Sequence, residues 1–278
     1  MQSVEVNPSK YYDELYADYE KNWSPHHLHY GFWDEGIKTH EESLVNTTKT
    51  VLNALDIQKG DRILDAGCGV GGSSRYLLDN YDDVSVVGIT YSDLLLKNAI
   101  KFAERYDPSK IEFHFMDYTN TEFANESFDK IFAIESVCYA KDKHDFIKEA
   151  YRILKPGGKL VVVDGYQIKD DLNEEENKIL TEFCQGWALP NLATSHYFSK
   201  SLHKCGFVDI TIVDKTPVVK KSSKKMYDHV RKWKELCFIA SKLKLIKQSS
   251  YDDLIGVLRQ KEIIDQGIAG YVLFSATK

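Results

Sequence analysis

Five short apolar runs recur at regular spacing through the middle of the chain. They read DRILDAG (61–67), VSVVGIT (84–90), IEFHFMD (111–117), FDKIFAI (128–134) and GKLVVVDGY (158–166). Apolar residues follow one another in these runs with few polar interruptions, which is typical of strands buried on both faces of a sheet. The pattern therefore predicts five buried β-strands.

Amphipathic helical patterns separate or precede these strands. They cover THEESLVNTTKTVLNAL (39–55), GGSSRYLLDNY (71–81), SDLLLKNAIKFAERY (92–106) and DKHDFIKEAYRIL (142–154). The KPGGK stretch (155–159) is expected to end the last helix and start the next strand. Strands that alternate with helices join through right-handed crossovers and run parallel. With two late strand candidates, 208–214 and 270–277, we predict a Rossmann-like α/β fold with a doubly wound, mostly parallel seven-stranded sheet.

The 278 residues exceed one minimal domain and fall short of two full domains. We predict a helical and aromatic cap with a lead-in helix (1–60), a Rossmann-like core (61–166) and the C-terminal half of the sheet (167–278). The last segment has a helical substrate-side insert, at about 215–268, before the final strand. The insert contains a group of basic residues: Lys220, Lys221, Lys224, Lys225, Arg231, Lys232 and Lys234. A solvated helix face explains them, and a site for an anionic partner is the alternative.

Composition and charge narrow the classes of partner. The chain has 36 basic and 42 acidic residues and a net charge of −6, whereas nucleic-acid-binding domains usually carry a basic excess. Apolar runs stay shorter than the roughly 18 residues that span a bilayer, and the first residues show no apolar signal-peptide core. The five cysteines form no CxxC pair, as expected for reduced thiols. We therefore expect a cytoplasmic protein without nucleic-acid binding or stable membrane insertion.

The stretch LDAGCGVGGSSRYL (64–77) contains a glycine-rich turn between a predicted strand and a predicted helix. Gly67, Gly69 and Gly72 match G-x-G-x-x-G, a pattern that lets the backbone approach a nucleotide-like cofactor closely. Several classes of cofactor use this pattern, so the neighbouring residues have to distinguish them.

Asp65 lies two residues before the first of these glycines, so its carboxylate is expected beside the N-terminus of the following helix. A dinucleotide places its pyrophosphate at that helix end, where a carboxylate repels it. S-adenosylmethionine (SAM) brings an ammonium and a sulfonium group instead. Asp65 therefore favours SAM over NAD.

The end of the second strand supports the same choice. A dinucleotide site needs an acidic residue about 20 residues beyond the turn to bind the ribose hydroxyls. The stretch GITYSD places Thr90 at that point. Asp93 is an alternative ribose ligand, although its position beside a helix start also suits a structural role.

The stretches ILDAGCGVGGSSRYL, GITYS and IESVCYAKDKHDFIKEAYRILKPGGKLVVVDGY resemble class I SAM-dependent methyltransferases. Within that class they resemble the branch of tocopherol methyltransferases, sterol C-methyltransferases and cyclopropane fatty-acid synthases, which commonly carries threonine at the position of Thr90. The resemblance is specific over 61–166 and weaker over 27–36 and 184–207.

The resemblance implies which residues hold the cofactor. Asp65, Gly67 and Gly69 would hold the methionyl end of SAM, and Tyr12 and His29 would close over its carboxylate. The ribose would lie between Thr90 and Tyr91, and the adenine against Asp117 and Tyr118. Ile134 and Glu135 would lie at the edge of the cofactor. Leu95 stands where the branch often has glutamine, so the resemblance does not imply that one ribose contact for this chain.

Methyl transfer is an in-line displacement, in which the protein mainly aligns nucleophile, methyl and sulfur. Tyr139 stands where related O-methyltransferases carry a histidine base. It could position the acceptor or, with a lowered pKa, accept its proton, and plain packing is the alternative. We take Tyr139 as the candidate catalytic residue. Cys138 stands where cyclopropane synthases carry an acid that supports bicarbonate binding, which argues against cyclopropanation.

Histidines provide weaker candidates. His196 is a second candidate base, and an exposed loop histidine is the alternative. His26, His27 and His29 are close in sequence, but they lack a carboxylate or cysteine set at a metal-binding spacing, and we predict no metal site.

The first 33 residues are rich in aromatic side chains. They are Tyr11, Tyr12, Tyr16, Tyr19, Trp23, Tyr30, Phe32 and Trp33. A lid that excludes water from the sulfonium explains this composition, and so does simple packing on the core.

We therefore predict a SAM-dependent methyltransferase that acts on N, O or C of a small, fairly apolar metabolite and releases S-adenosylhomocysteine. A glycine- or sarcosine-type amine N-methyltransferase, an NAD-dependent oxidoreductase and a non-catalytic SAM-binding module are the alternatives. The expected partners are the small-molecule acceptor and, at most, a second copy in a homodimer.

Overall fold

A computed structural model describes residues 8–278, and residues 1–7 of the predicted cap lie outside the described residues. The α-helices of the described residues are α1 (Pro8–Asn22), α2 (His40–Leu55), α3 (Gly72–Asn80), α4 (Asp93–Phe102), α5 (Lys143–Ile153), α6 (Glu174–Gly186), α7 (Ser195–Cys205), α8 (Thr216–Val230), α9 (Lys234–Lys242) and α10 (Gln248–Asp265). Two short 3-10 helices cover Val137–Tyr139 and Arg231–Trp233. Within residues 8–278 no helix is both long and apolar enough to cross a membrane.

One seven-stranded sheet organises these helices. Its strands are β1 (Arg62–Ala66), β2 (Ser85–Thr90), β3 (Ile111–Phe115), β4 (Phe128–Ile134), β5 (Leu154–Gln167), β6 (Val208–Asp214) and β7 (Ala269–Thr277). Their order is β3-β2-β1-β4-β5-β7-β6, and only β7 runs antiparallel to its neighbours in this sheet. The predicted doubly wound, mostly parallel α/β fold is confirmed. The predicted helical insert is confirmed as well, because α8 to α10 separate β6 from β7.

Apolar layers cover both faces of the sheet because successive strand residues point to opposite sides. Leu64 of β1 shares a buried cluster with Phe146 of α5, whereas its neighbour Ile63 shares another with Leu52 of α2. All four side chains are almost fully buried. Burying a side chain of this size contributes about 1.5–3 kcal/mol, so the near-continuous apolar runs explain why the sheet lies at the centre.

The KPGGK stretch differs from its prediction. β5 already begins at Leu154, which pairs with Phe128, and the register shifts before Lys159 pairs with Lys130. The stretch is therefore a bulge inside β5 rather than a separator before it. Gly157, with φ +77°, supplies the left-handed conformation that this bulge requires.

Two helices, α6 and α7, are not among the helices predicted from periodicity. Both have capping residues that are visible in the sequence. Asn173 and Glu176 form a capping box at α6, and Thr194 caps α7, which ends at Gly206 in the left-handed conformation. The division of the chain into three segments remains a prediction.

α6 and α10 approach each other closely at Gly186 and Gly256. A Cβ on Gly256 of α10 would lie 2.9 Å from the carbonyl carbon of Gly186 and 2.8 Å from Cδ1 of Trp187. These distances are too short for a side chain. Both glycines are therefore required by the close approach of two helices.

Gly256→Ala should lower the free energy of unfolding by about 1–3 kcal/mol, as expected for overpacking. The direction of this change in the free energy of unfolding is informative. Alanine is a better helix former than glycine by about 1 kcal/mol where there is room, so without the close contact the substitution would stabilise the protein. Denaturant unfolding measures the change. Gly165→Ala is the matched control, since its Cβ would meet only Leu192 at 3.9 Å. A stabilised Gly256→Ala protein would contradict the close approach.

Candidate active site

A cavity of about 350 Å³ opens at the carboxyl ends of β1, β2 and β4. The structure brings all twelve residues predicted from the sequence to its lining. They are Tyr12, His29, Asp65, Gly67, Gly69, Thr90, Tyr91, Asp117, Tyr118, Ile134, Glu135 and Tyr139. Their individual roles remain predictions.

The glycine turn forms the floor of the cavity. Gly67 has φ +99°, and a Cβ there would lie 2.2 Å from Cβ of Ser136. A Cβ on Gly72 would lie 1.9 Å from the carbonyl oxygen of His26. The turn is therefore packed against β4 on one side and against the cap on the other, with no room for side chains at either position.

Asp65 lies at the end of β1 and is almost fully buried. Its Oδ2 accepts a hydrogen bond of 2.6 Å from the hydroxyl of Ser74, in the first turn of α3. Burial raises the pKa of Asp65 to about 7, although the Ser74 hydrogen bond opposes this shift. A buried carboxyl with so high a pKa is a favourable site for a cationic ligand group, which would stabilise its ionised form.

The residues after β2 and β3 form the outer wall. Thr90 is buried, whereas half of the Tyr91 side chain is exposed and its ring lies 4.8 Å, centroid to centroid, from that of Phe115. Asp117 is exposed, and its Oδ1 accepts hydrogen bonds of 2.7 Å from both the backbone N–H and the hydroxyl of Thr119. The wall is open and polar here, so an adenosyl group can lie between the ring of Tyr91 and the carboxylate of Asp117.

Glu135 follows β4 with φ +49°, a strained conformation for a residue other than glycine. Its Oε1 accepts hydrogen bonds from the backbone N–H of Tyr30 at 2.6 Å and the hydroxyl of Tyr271 at 2.5 Å. Burial raises the pKa of Glu135 to about 8, in spite of these hydrogen bonds. A second buried carboxyl therefore lines the cavity, and it connects the cap, β4 and β7.

Tyr12 of α1 meets Tyr139 at the cavity wall, with 3.2 Å between their hydroxyl oxygens. Both side chains are partly buried. Burial raises the pKa of Tyr139 and that of Tyr12 well above the ordinary value of a tyrosine. A raised pKa disfavours Tyr139 as a base, and its role as the catalytic residue stays a prediction. A neutral hydroxyl that orients an acceptor remains compatible with the geometry.

His29 lines the cavity with one ring nitrogen bonded and the other free of a partner among the described residues. Its Nδ1 lies 2.9 Å from the carbonyl oxygen of Tyr30 and must donate, because a carbonyl only accepts. Burial lowers the pKa of His29 to about 4, so the ring is neutral and its buried Nε2 is an acceptor without a partner among residues 8–278. In this neutral form Nε2 suits a donor group of a ligand better than a carboxylate, and the contact between His29 and the methionyl carboxylate stays a prediction.

The other histidine candidates do not form a site. His196 lies on the exposed side of α7 and is not part of the cavity lining. The rings of His27 and His29 are 5.1 Å apart, and within residues 8–278 no group of three metal-ligating side chains comes together.

Several lining residues were missed by the sequence analysis. Ser136 is the clearest case, because its hydroxyl donates to the carbonyl oxygen of Ala66 at 2.6 Å and its own carbonyl accepts from Tyr118 at 2.7 Å. Ser92, the N-cap of α4, also lines the cavity. Its capping position after β2 was a usable signal, whereas Ser136 had none in the local pattern.

A buried polar cluster holds α1 over the site. Oδ1 of Asp253, on α10, accepts hydrogen bonds from the hydroxyls of Tyr11 at 2.5 Å and Tyr19 at 3.1 Å. Burial raises the pKa of Asp253 to about 6. We call this cluster of Tyr11, Tyr19 and Asp253 the cap latch, because it joins the lid-like helix to the insert.

Comparison with known proteins agrees with this geometry. Residues 64–162 match the family model of a methyltransferase domain. The chain is 30% identical to a sterol 24-C-methyltransferase of Saccharomyces cerevisiae over 200 residues, which are 71% of this chain and 51% of that protein. It is also 30% identical to phosphoethanolamine N-methyltransferase 1 of Triticum aestivum over 233 residues, which are 84% of this chain and 44% of that protein. The chain spans about half the length of these curated relatives.

Solved structures show the same fold. The cyclopropane synthase MmaA2 from Mycobacterium tuberculosis superimposes with a TM-score of 0.82 over 100% of this chain and 99% of that chain, at 20% identity. The fold is thus that of class I methyltransferases. The chain carries a methyltransferase domain, and its curated relatives include SAM-dependent C- and N-methyltransferases. This confirms the resemblance seen in the sequence.

Removing both hydroxyls of the cap latch, with Tyr11→Phe and Tyr19→Phe together, should loosen α1. Asp253 would lose two charge-assisted hydrogen bonds, each worth about 1.5–3 kcal/mol. Amide hydrogen exchange in α1 should become at least about tenfold faster.

Tyr16→Phe is the matched control, because the buried Tyr16 hydroxyl has no partner within residues 8–278. Its removal should leave exchange unchanged or slow it slightly. Equal exchange in the double variant and the wild type would show that the cap latch does not hold α1.

Proposed function

We propose that this protein is an enzyme that transfers the methyl group of SAM to N, O or C of a small, fairly apolar metabolite. The observation that carries the proposal is the buried carboxyl of Asp65 beside a glycine turn whose Gly67 has no room for a Cβ. The backbone can approach a ligand there, and the acid attracts its ammonium group while opposing a diphosphate. This geometry disfavours the NAD-dependent alternative.

The lining residues suit the parts of SAM in turn. Asp65, Gly67 and Gly69 would hold the methionyl end, Thr90 and Tyr91 the ribose, Asp117 and Tyr118 the adenine, and Ile134 the edge of the ring system. The neutral Nε2 of His29 would accept a hydrogen bond from a ligand donor. When bound, the cofactor supplies a methyl group activated by its sulfonium.

The remaining residues would act on the acceptor. Tyr12 and Tyr139 meet in a water-excluding wall, and their neutral hydroxyls can orient a nucleophile toward the methyl group. Glu135, with a pKa near 8, can hold a proton lost by the nucleophile close to neutral pH. Enclosure by aromatic rings favours an apolar acceptor.

An amine acceptor is the second candidate. The buried Glu135 carboxyl close to the tyrosine wall can pair with an ammonium group, and phosphoethanolamine N-methyltransferases are among the relatives. The five free cysteines support a cytoplasmic location, and a second copy of the chain in a homodimer is the largest assembly we propose.

Calorimetry and mass spectrometry test the proposal together. We expect binding of SAM and no measurable binding of NAD. A metabolite pool incubated with the protein and methyl-labelled SAM should then yield a labelled product together with S-adenosylhomocysteine. NAD binding in the same cavity would exclude the proposal, and SAM binding without label transfer would leave a non-catalytic module.

Asp65→Asn should weaken SAM binding at least about tenfold, which is about 1.4 kcal/mol. Because the pKa of Asp65 is raised to about 7, the carboxyl is neutral below that pH and ionised above it. Wild-type affinity for SAM should therefore rise as the pH increases toward about 7, with release of a proton on binding.

Calorimetry across this pH range measures both effects, and Asp65→Asn should abolish the pH dependence. Glu104→Gln, in the exposed turn after α4, is the control and should bind like the wild type. Unchanged affinity in Asp65→Asn would contradict the ammonium role.

Tyr139→Phe should lower turnover about tenfold or more while changing SAM affinity little, because its hydroxyl is expected to orient the acceptor. Tyr118→Phe is a useful comparison, since the Tyr118 hydroxyl bonds to a backbone carbonyl on the cofactor side and should affect SAM affinity first. Steady-state kinetics and calorimetry separate the two effects. Full turnover of Tyr139→Phe would leave this residue with a packing role only.

A further inference from the structure

An apolar ridge lies outside the site just described, on α9 and the turns that flank it. It consists of Trp233, Leu236, Ile239, Leu243 and Leu245, all of which are exposed, Leu243 at 63% and Leu245 at 73%. The first four follow one another at intervals of three or four residues, so they lie along one side of the helix. No residue of α9 is buried. The core therefore does not explain these side chains.

Lysines surround the ridge. Residues 231–247 contain six basic residues and one acidic residue, a net charge of +5, in a chain whose net charge is −6. Lys232 lies 6.0 Å from the ring centroid of Trp233, and Lys242 lies 5.6 Å from that of Phe238. Within residues 8–278 Arg231 is the only basic residue of this segment in an ion pair, with Asp228. The segment presents positive charge and apolar surface together.

We propose that this ridge docks the protein reversibly on an anionic lipid surface. A helix with aromatic and aliphatic side chains on one side and lysines around them lies well in the headgroup region of a bilayer. The lysine stems stay in the apolar layer while their ammonium groups reach anionic headgroups. The docking involves no membrane-spanning segment.

The observations favour a lipid surface over a protein partner. Lysine is depleted from protein interfaces, whereas five lysines interleave with this ridge. A symmetric contact between two copies would bring two segments of charge +5 together and repel. The cavity beside this segment is lined by Arg231, Lys232 and Lys234 together with residues of α10, and none of the five side chains of the ridge lines it.

Vesicle flotation tests the proposal with the full chain. Wild-type protein should float with vesicles that contain phosphatidylserine in phosphatidylcholine, much less with phosphatidylcholine alone, and less at high salt. The triple variant Lys242→Gln, Lys244→Gln and Lys247→Gln should partition at least about tenfold less. The double variant Leu243→Ser and Leu245→Ser should also lose binding.

The control variant carries Lys148→Gln, Lys200→Gln and Lys204→Gln, three exposed lysines of α5 and α7, and should float like the wild type. SAM affinity, measured in all variants, should stay unchanged because α9 does not line the cofactor cavity. Trp233 supplies a second readout. Its fluorescence should shift to shorter wavelength on anionic vesicles, and Trp233→Phe should remove that shift.

Three results would overturn the proposal. One is equal flotation of the ridge and control variants, and another is failure of the wild type to bind anionic vesicles. The third is a dimer in solution that the leucine substitutions dissociate while vesicle binding is absent, which would assign the ridge to a second copy.

Discussion

The cofactor cavity depends on a steric constraint in the backbone. At Gly67 a side chain would overlap Ser136, and at Gly72 it would overlap the backbone of His26. These two contacts join the turn after β1 to the end of β4 and to the N-terminal cap. The turn is thus packed directly against the Ser136 side chain on one side and the His26 backbone on the other, and such close packing leaves little room for movement. The polar groups around the cavity owe their positions to this arrangement.

Two acidic side chains give the cavity a preference for cationic groups. Asp65 and Glu135 are buried acids with raised pKa values, and burial is the main cause for both. Desolvation disfavours their ionised forms until a cationic group enters. The two acids therefore favour a cationic ligand group at the carboxyl ends of the strands. Aromatic residues of the cap lie close to these acids, with Tyr30 donating its backbone N–H to Glu135.

The part of the chain without a reliable resemblance contributes more than a connection between β6 and β7. α10 supplies Asp253, which holds the cap helix, and α9 carries the apolar ridge with its lysines. The core thus has the common methyltransferase fold, while the insert contacts the N-terminal helix and presents its own surface. This division fits a family whose relatives methylate acceptors as different as sterols and phosphoethanolamine.

Local patterns in the sequence determined the order of the elements, the parallel sheet and the glycine turn with Asp65, because these depend on residues close together in the chain. They also indicated which residues would gather at the strand ends. Only the tertiary structure decided how those residues are charged and bonded. Glu135 receives its hydrogen bonds from Tyr30 and Tyr271, which lie 105 and 136 residues away. The tautomer of His29 and the raised pKa of Tyr139 likewise follow from burial, and burial depends on the packing of distant segments that no short stretch of sequence encodes.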